Sequence, residues 1–132
     1  IEPYLVASAV KLVIAQRLVR KICPDCRAET QLSDGDRTNL SESEVASIST
    51  LYAGKGCETC SGIGYLGRMP VFEVLTVKSK EIKRVITEGG TEIQVAHVAR
   101  KEGMRTLKDE VLDMVNRGET TLEEAFSIIM SD

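Results

Sequence analysis

Cys23-Pro-Asp-Cys26 and Cys57-Glu-Thr-Cys60 hold all four cysteines of a 132-residue chain, as two well-separated C-x2-C pairs. Such a pair lets one tight turn present two thiolates to a common point, so two pairs can supply the four sulfurs of a closed tetrahedral zinc site with Zn–S bonds of about 2.3 Å. Gly54, Gly56, Gly62 and Gly64 crowd the second pair, where the backbone must bend around a metal. Two other chemistries compete. Two disulfides suit a small secreted domain, and nothing in the sequence signals export. A redox or iron–sulfur role competes as well, but neither pair has the βαβ surroundings of a thioredoxin-like site. One structural zinc per chain is the preferred reading. With every position taken by protein sulfur, none is left for water or substrate, and the ion would organise the fold rather than catalyse.

Other reactive side chains are sparse. His97 is the one histidine, and it reads as an ordinary residue on a helix. The pairs Asp109-Glu110 and Glu123-Glu124 fall in first turns of expected helices, where the helix dipole accounts for them. Neither Gly54-Lys-Gly56 nor Gly62-Ile-Gly64 fits the G-x-x-x-x-G-K-[ST] frame that cradles phosphate. Arg17, Arg20 and Arg68 flank two expected strands and would gather if those strands pair, offering guanidinium forks to a phosphate or carboxylate; solvated charge on an exposed strand is the competing reading. With 17 Lys+Arg against 20 Asp+Glu, a net charge of −3, and only three Tyr and two Phe as aromatics, the chain has neither the basic field nor the stacking platform of a nucleic-acid binder. Its longest apolar stretch, from Tyr4 to Ile14, is broken by Ser8 and Lys11 and is too short to span a bilayer. The opening Ile-Glu-Pro has no initiator Met and no export signal, as expected for a piece of a longer protein.

These residues need elements to position them. Leu5, Ala9 and Val13, with Val6, Val10 and Ile14, form two rows spaced by four, which predicts a buried helix face running to Ile14, opened by Pro3. Residues 18–22 read as a short strand, and residues 68–77 as its antiparallel partner, dense in β-branched and aromatic residues. Between them, residues 23–67 are too poor in apolar side chains to fold unaided and call for a staple. A capping box at Ser41-x-x-Glu44, followed by Val45, Ile48 and Tyr52, marks one short helix there. After Val77, caps and glycines punctuate four helices: Ser79 to Gly89-Gly90, Thr91-x-x-Gln94 to Gly103, Thr106 to Gly118, and Thr121-x-x-Glu124 onward with Leu122, Ala125, Phe126 and Ile129 inward. The expected fold is α+β and mainly α. It comprises a helix and strand over 1–22, a tetracysteine zinc module over 23–67, a return strand over 68–78 and a C-terminal bundle of about four short helices over 79–132.

Several motifs run in one order along nearly the whole chain: Glu2-Pro-Tyr-Leu-Val-Ala-Ser8, Ala15-Gln-Arg-Leu-Val-Arg20, the two cysteine pairs, Gly62-x-Gly-Tyr-x-Gly-Arg68, Phe72-Glu-Val-Leu75, Glu102-Gly-Met-Arg-Thr-Leu107 and Gly118-x-Thr-Thr-Leu-Glu-Glu124. As a set they resemble the C-terminal region of the secretion and pilus assembly ATPases, that is, type II secretion protein E and the type IV pilus extension ATPases. The resemblance implies that Cys23, Cys26, Cys57 and Cys60 hold zinc in that family's metal module. It also implies that the parent is a hexameric cytoplasmic motor using ATP and Mg, peripheral to the inner membrane through platform proteins. The family's Walker motifs lie upstream of this chain, so the chain alone is expected to be no enzyme. Its expected partners are its own ATPase core, neighbouring subunits and the platform proteins, with no nucleic acid. Arg17 and Arg68 match motif positions near the nucleotide-bearing core and are carried over as nucleotide or intersubunit contacts. Two alternatives are a DnaJ-type co-chaperone zinc module, suggested by Cys57-x-x-Cys60-x-Gly62-x-Gly64 but lacking that family's four repeats, and a free-standing zinc-ribbon binding domain.

Overall fold

Pro3 opens helix α1 (Pro3–Ala9) in a computed structural model that describes residues 2–130. The helix stops well short of the expected Ile14. Val10 is already extended, and Leu12, Val13 and Ile14, each about half exposed, belong to a long strand β1 (Leu12–Ile22). The physical reason is strand pairing: the N–H of Val77 donates to the carbonyl of Lys11 at 3.0 Å, and the β-branched Val10, Val13 and Ile14 suit extended backbone better than helix. Strand β4 (Tyr65–Thr76) is the partner of β1 in a two-stranded sheet. Its other end is closed by the N–H of Cys23 donating to the carbonyl of Gly64 at 3.0 Å, so the two strands run antiparallel with the cysteine-bearing segment between them.

That segment contains more regular structure than its composition suggests. Strands β2 (Arg27–Thr30) and β3 (Leu51–Gly54) pair antiparallel, with Arg27 opposite Gly54 and Thr30 opposite Leu51. Helices α2 (Asp34–Thr38) and α3 (Glu42–Ser47) lie between them in the chain, each opened by a full capping box, at Ser33/Asp36 and Ser41/Glu44. The expected continuation of the α3 stripe through Ile48 and Tyr52 does not occur. Ile48 is an extended cap residue and Tyr52 sits on β3, because so short a helix gains little and the strand pairing takes over.

The four C-terminal helices occur where caps and glycines place them: α4 (Lys80–Thr87), α5 (Glu92–Lys101), α6 (Leu107–Asn116) and α7 (Leu122–Ile129). They do not form one group. Two compact units divide the chain, one made of residues 1–16 and 72–106, the other of residues 17–71 and 107–132. The first contains α1, α4 and α5 around an apolar core of Val77, Ile82, Val98 and Ala99, onto which Val10, Leu75, Val85, Ile86 and Met104 pack. The second contains the cysteine segment with α6 and α7, whose Val111, Val115, Leu122, Ala125 and Ile128 are buried. On α7 the inward residue is Ile128, where the sequence pattern puts Ile129. Among the described residues there are seven helices and two small antiparallel sheets, and no helix is long and apolar enough to cross a membrane. Positions 1, 131 and 132, at the ends of the expected outer segments, lie outside the described residues.

Candidate metal centre

β1 delivers Cys23 directly from its last residue, Ile22, and Cys26 follows one turn later, just before β2. The second pair sits between β3 and β4, so the pairing of β1 with β4 and of β2 with β3 brings two distant turns face to face. Sulfur separations are 3.7 Å for Cys23–Cys57, 3.8 Å for Cys26–Cys60 and 3.8 Å for Cys57–Cys60, and all four sulfurs lie within 4.8 Å of one another. A tetrahedron of sulfurs about 2.3 Å from a central zinc has edges of about 3.8 Å. The observed spacing fits such an ion. It excludes disulfides in this arrangement, since an S–S bond is about 2.05 Å, and all four cysteines are free. Cys23 and Cys60 are buried, while Cys26 and Cys57 are half-buried.

Backbone amides complete the surroundings. Gly56 N–H donates to Cys26 Sγ at 3.3 Å, Cys57 N–H to Cys60 Sγ at 3.3 Å and Gly64 N–H to Cys60 Sγ at 3.1 Å. Gly64 must be glycine for two reasons. Its φ of 86° is left-handed, and a Cβ there would meet the Gly54 carbonyl oxygen at 2.6 Å, so the close approach that aims its N–H at sulfur needs a bare backbone. Burial pushes the Cys26 thiol up to about 11, with the Gly56 amide offsetting only part and the adjacent thiols adding to it. Burial raises Cys23 as well. At Cys60 burial also pushes upward, but the amides of Cys57 and Gly64 and the neighbouring thiols outweigh it and bring the group to about 6. A divalent ion would favour deprotonation of the four sulfurs and release protons on binding.

The other expected site residues lie elsewhere. Arg17 on β1 and Arg68 on β4 are exposed, and His97 is exposed on α5. Arg20 is an engaged arginine: its guanidinium stacks 4.1 Å from the Tyr65 ring centre and pairs with Glu124. This contact changes the expected capping box of α7. Thr121 accepts from Glu124 N–H at 3.1 Å, but the Glu124 carboxylate goes to Arg20. Arg27, next to Cys26, stacks 5.1 Å from the Tyr52 ring centre and donates to the Gly118 carbonyl at 3.2 Å. Sequence reasoning left these two cation–π pairs unpredicted; each joins residues far apart in the chain, and residue type alone does not name the partner.

A family described as "Type II/IV secretion system protein" matches residues 1–127. The chain is 38% identical over 129 residues to the type IV pilus assembly ATPase PilB of Thermus thermophilus, covering 96% of this chain and 14% of that protein. It is 34% identical over 128 residues to the type II secretion system ATPase E of Vibrio cholerae, covering 97% of this chain and 25% of that protein. To the type II secretion system protein E of Aeromonas hydrophila it is 31% identical over 132 residues, which is 100% of this chain and 26% of that protein. The chain therefore spans about a quarter or less of the length of these relatives.

Proposed function

The chain belongs to the Type II/IV secretion system protein family, and from that premise we propose that it is the C-terminal metal-binding and helical part of an ATPase that powers protein secretion or pilus assembly. The observation that carries the metal assignment is the cluster of four sulfurs within 4.8 Å of one another, with Cys23–Cys57, Cys26–Cys60 and Cys57–Cys60 at the edge length of a zinc–thiolate tetrahedron. Cys23, Cys26, Cys57 and Cys60 would hold one zinc, which would cross-link the turn after β1 to the turn after β3. The part has no phosphate-cradling loop, so its role is structural, with ATP and Mg bound in the remainder of the parent. Contacts with the parent's own ATPase core, with neighbouring subunits of a hexamer and with inner-membrane platform proteins follow from that placement, on the cytoplasmic side. Arg17 and Arg68, exposed on their strands, are the side chains offered to nucleotide or an adjacent subunit.

Metal analysis of the chain prepared under reducing conditions without chelator tests the reading. One zinc per chain is expected, together with no ATP turnover by the chain alone. Metal-free protein that keeps the amide protection of residues 23–64 would overturn the zinc assignment, and ATP turnover by the isolated chain would overturn the structural one.

A further inference from the structure

The Gly118-x-Thr-Thr motif serves more than the start of α7. Thr121 is the N-cap of that helix, which leaves Thr120 without a local task, yet Thr120 is 0% exposed. Its hydroxyl donates to the carbonyl of Arg20 at 2.7 Å. One residue before it, the Glu119 carbonyl accepts from Ile22 N–H at 3.0 Å, the residue that precedes Cys23. The Gly118 carbonyl accepts from Arg27, the residue that follows Cys26, at 3.2 Å. Thr121 Oγ1 and the Tyr65 hydroxyl are 2.7 Å apart, and Tyr65 directly follows Gly64, whose amide donates to Cys60 sulfur and whose carbonyl accepts from Cys23. Consecutive residues 118–121 thus hold the chain as it enters Cys23, as it leaves Cys26 and as it leaves the second pair.

We infer that residues 118–121, foremost Thr120, are positioning residues of the metal centre, acting from outside the cysteine segment by fixing the strands that present Cys23, Cys26 and Cys60. The argument is geometric. A tetrahedral site tolerates little error in ligand position, and groups that orient ligands without touching the ion carry much of its affinity. Gly118 fits the same role: its φ of 75° is left-handed, and a Cβ there would come within 2.9 Å of the Tyr52 ring and 3.1 Å of Arg27 Nη1, so a side chain would push away the arginine beside Cys26. The inference rests on the zinc reading above, and its test separates the two.

The chain is loaded with cobalt(II), whose thiolate absorption reports tetrahedral sulfur ligation, and zinc affinity is then measured by competition with a chelating dye. Thr120→Val is expected to weaken zinc about tenfold and to shift the cobalt bands, with Thr120→Ser, which keeps the hydroxyl, within about twofold of wild type. Thr91→Val removes a comparable hydroxyl at the cap of α5 in the other unit and should leave affinity unchanged. If Thr120→Val does not fold, Tyr65→Phe, which removes one hydroxyl and keeps the ring, should still weaken zinc about threefold. Wild-type affinity in Thr120→Val, or in Tyr65→Phe where that variant is used, overturns the inference and leaves the zinc reading standing. So does an equal loss in Thr91→Val. Absence of thiolate bands in the wild-type chain overturns both.

Discussion

The two compact units of this chain are held by different forces. The unit of α1, α4 and α5 closes over Val77, Ile82, Val98 and Ala99, a conventional apolar core. The unit of the cysteine segment with α6 and α7 also buries apolar side chains on both helices, and residues 107–132 add polar bonds to the rest of that unit: the Thr120 hydroxyl to Arg20, Thr121 with Tyr65, the Arg27 to Gly118 bond, the Ser49 N–H to Asn116 side chain at 2.9 Å, and the Glu44–Lys108 ion pair. Within the cysteine segment itself Leu40 and Leu51 are the buried aliphatic side chains. Oil holds one unit; the other adds directional bonds and a metal-shaped cluster of sulfur. Hydrophobic contacts tolerate small displacements, whereas hydrogen bonds and ligation weaken steeply with them. The second unit should therefore fail more abruptly.

The largest test of that contrast is Cys60→Ser. Structural zinc contributes an apparent binding energy of about 10–16 kcal/mol in small zinc domains, more than any one side chain in the apolar core. The variant is expected to lose amide-exchange protection across residues 23–64 while α4 and α5 keep theirs. Uniform loss along the chain would break the contrast. Next in size is Ile82→Ala, which opens a cavity in the other unit and should cost about 2–5 kcal/mol. Protection should fall in α4 and α5 with zinc affinity unchanged, a doubly opposite pattern to Cys60→Ser.

The smallest effect is a pH dependence at Glu44. Burial works to raise its carboxyl, but the Lys108 ammonium and the Ser41 cap groups outweigh it and hold the group below its ordinary value of 4.5. A depressed carboxyl adds stability above the unfolded value and loses it as pH falls through the folded one. Lys108 is more than a third exposed, so solvent screening limits the contribution to about 0.5–1 kcal/mol. Urea unfolding of wild type and Glu44→Gln should differ by that amount at neutral pH, and the difference should shrink as pH falls below 4.5 and through the depressed folded value. A difference that persists in acid would mean that Glu44 acts through packing instead.

Reading the sequence first shows where local signals suffice. The cysteine spacing names the four residues whose sulfurs cluster, and the caps Ser79, Thr91 and Thr121 place three helices at their observed starts, because a cap hydroxyl acts on the backbone of its own first turn. Strand β4 is visible from its β-branched run. The beginning of the chain misleads, since Val10, Val13 and Ile14 satisfy both a helical period and strand propensity, and the deciding partner, Val77, lies far along the chain. Strands β2 and β3 are too short for alternation to show. Glu124 looks like half of a capping box until Arg20 is brought beside it. The role of Thr120 has no local signature at all, because a second threonine beside a cap threonine reads as redundancy.

The alternation of the units along the chain has a temporal side. Residues 17–71 and 107–132 form one unit, with 72–106 of the other between them. On a ribosome adding about 5–20 residues per second, both cysteine pairs exist once Cys60 is made, but Gly118 and the threonines after it follow about 3–12 s later. During that interval the sulfurs can gather around an ion without the groups that later steady them, and the nascent site must be looser than the finished one. With the proposed zinc in place, emergence of the segment carrying α6 and α7 would convert a provisional clip into a fixed joint.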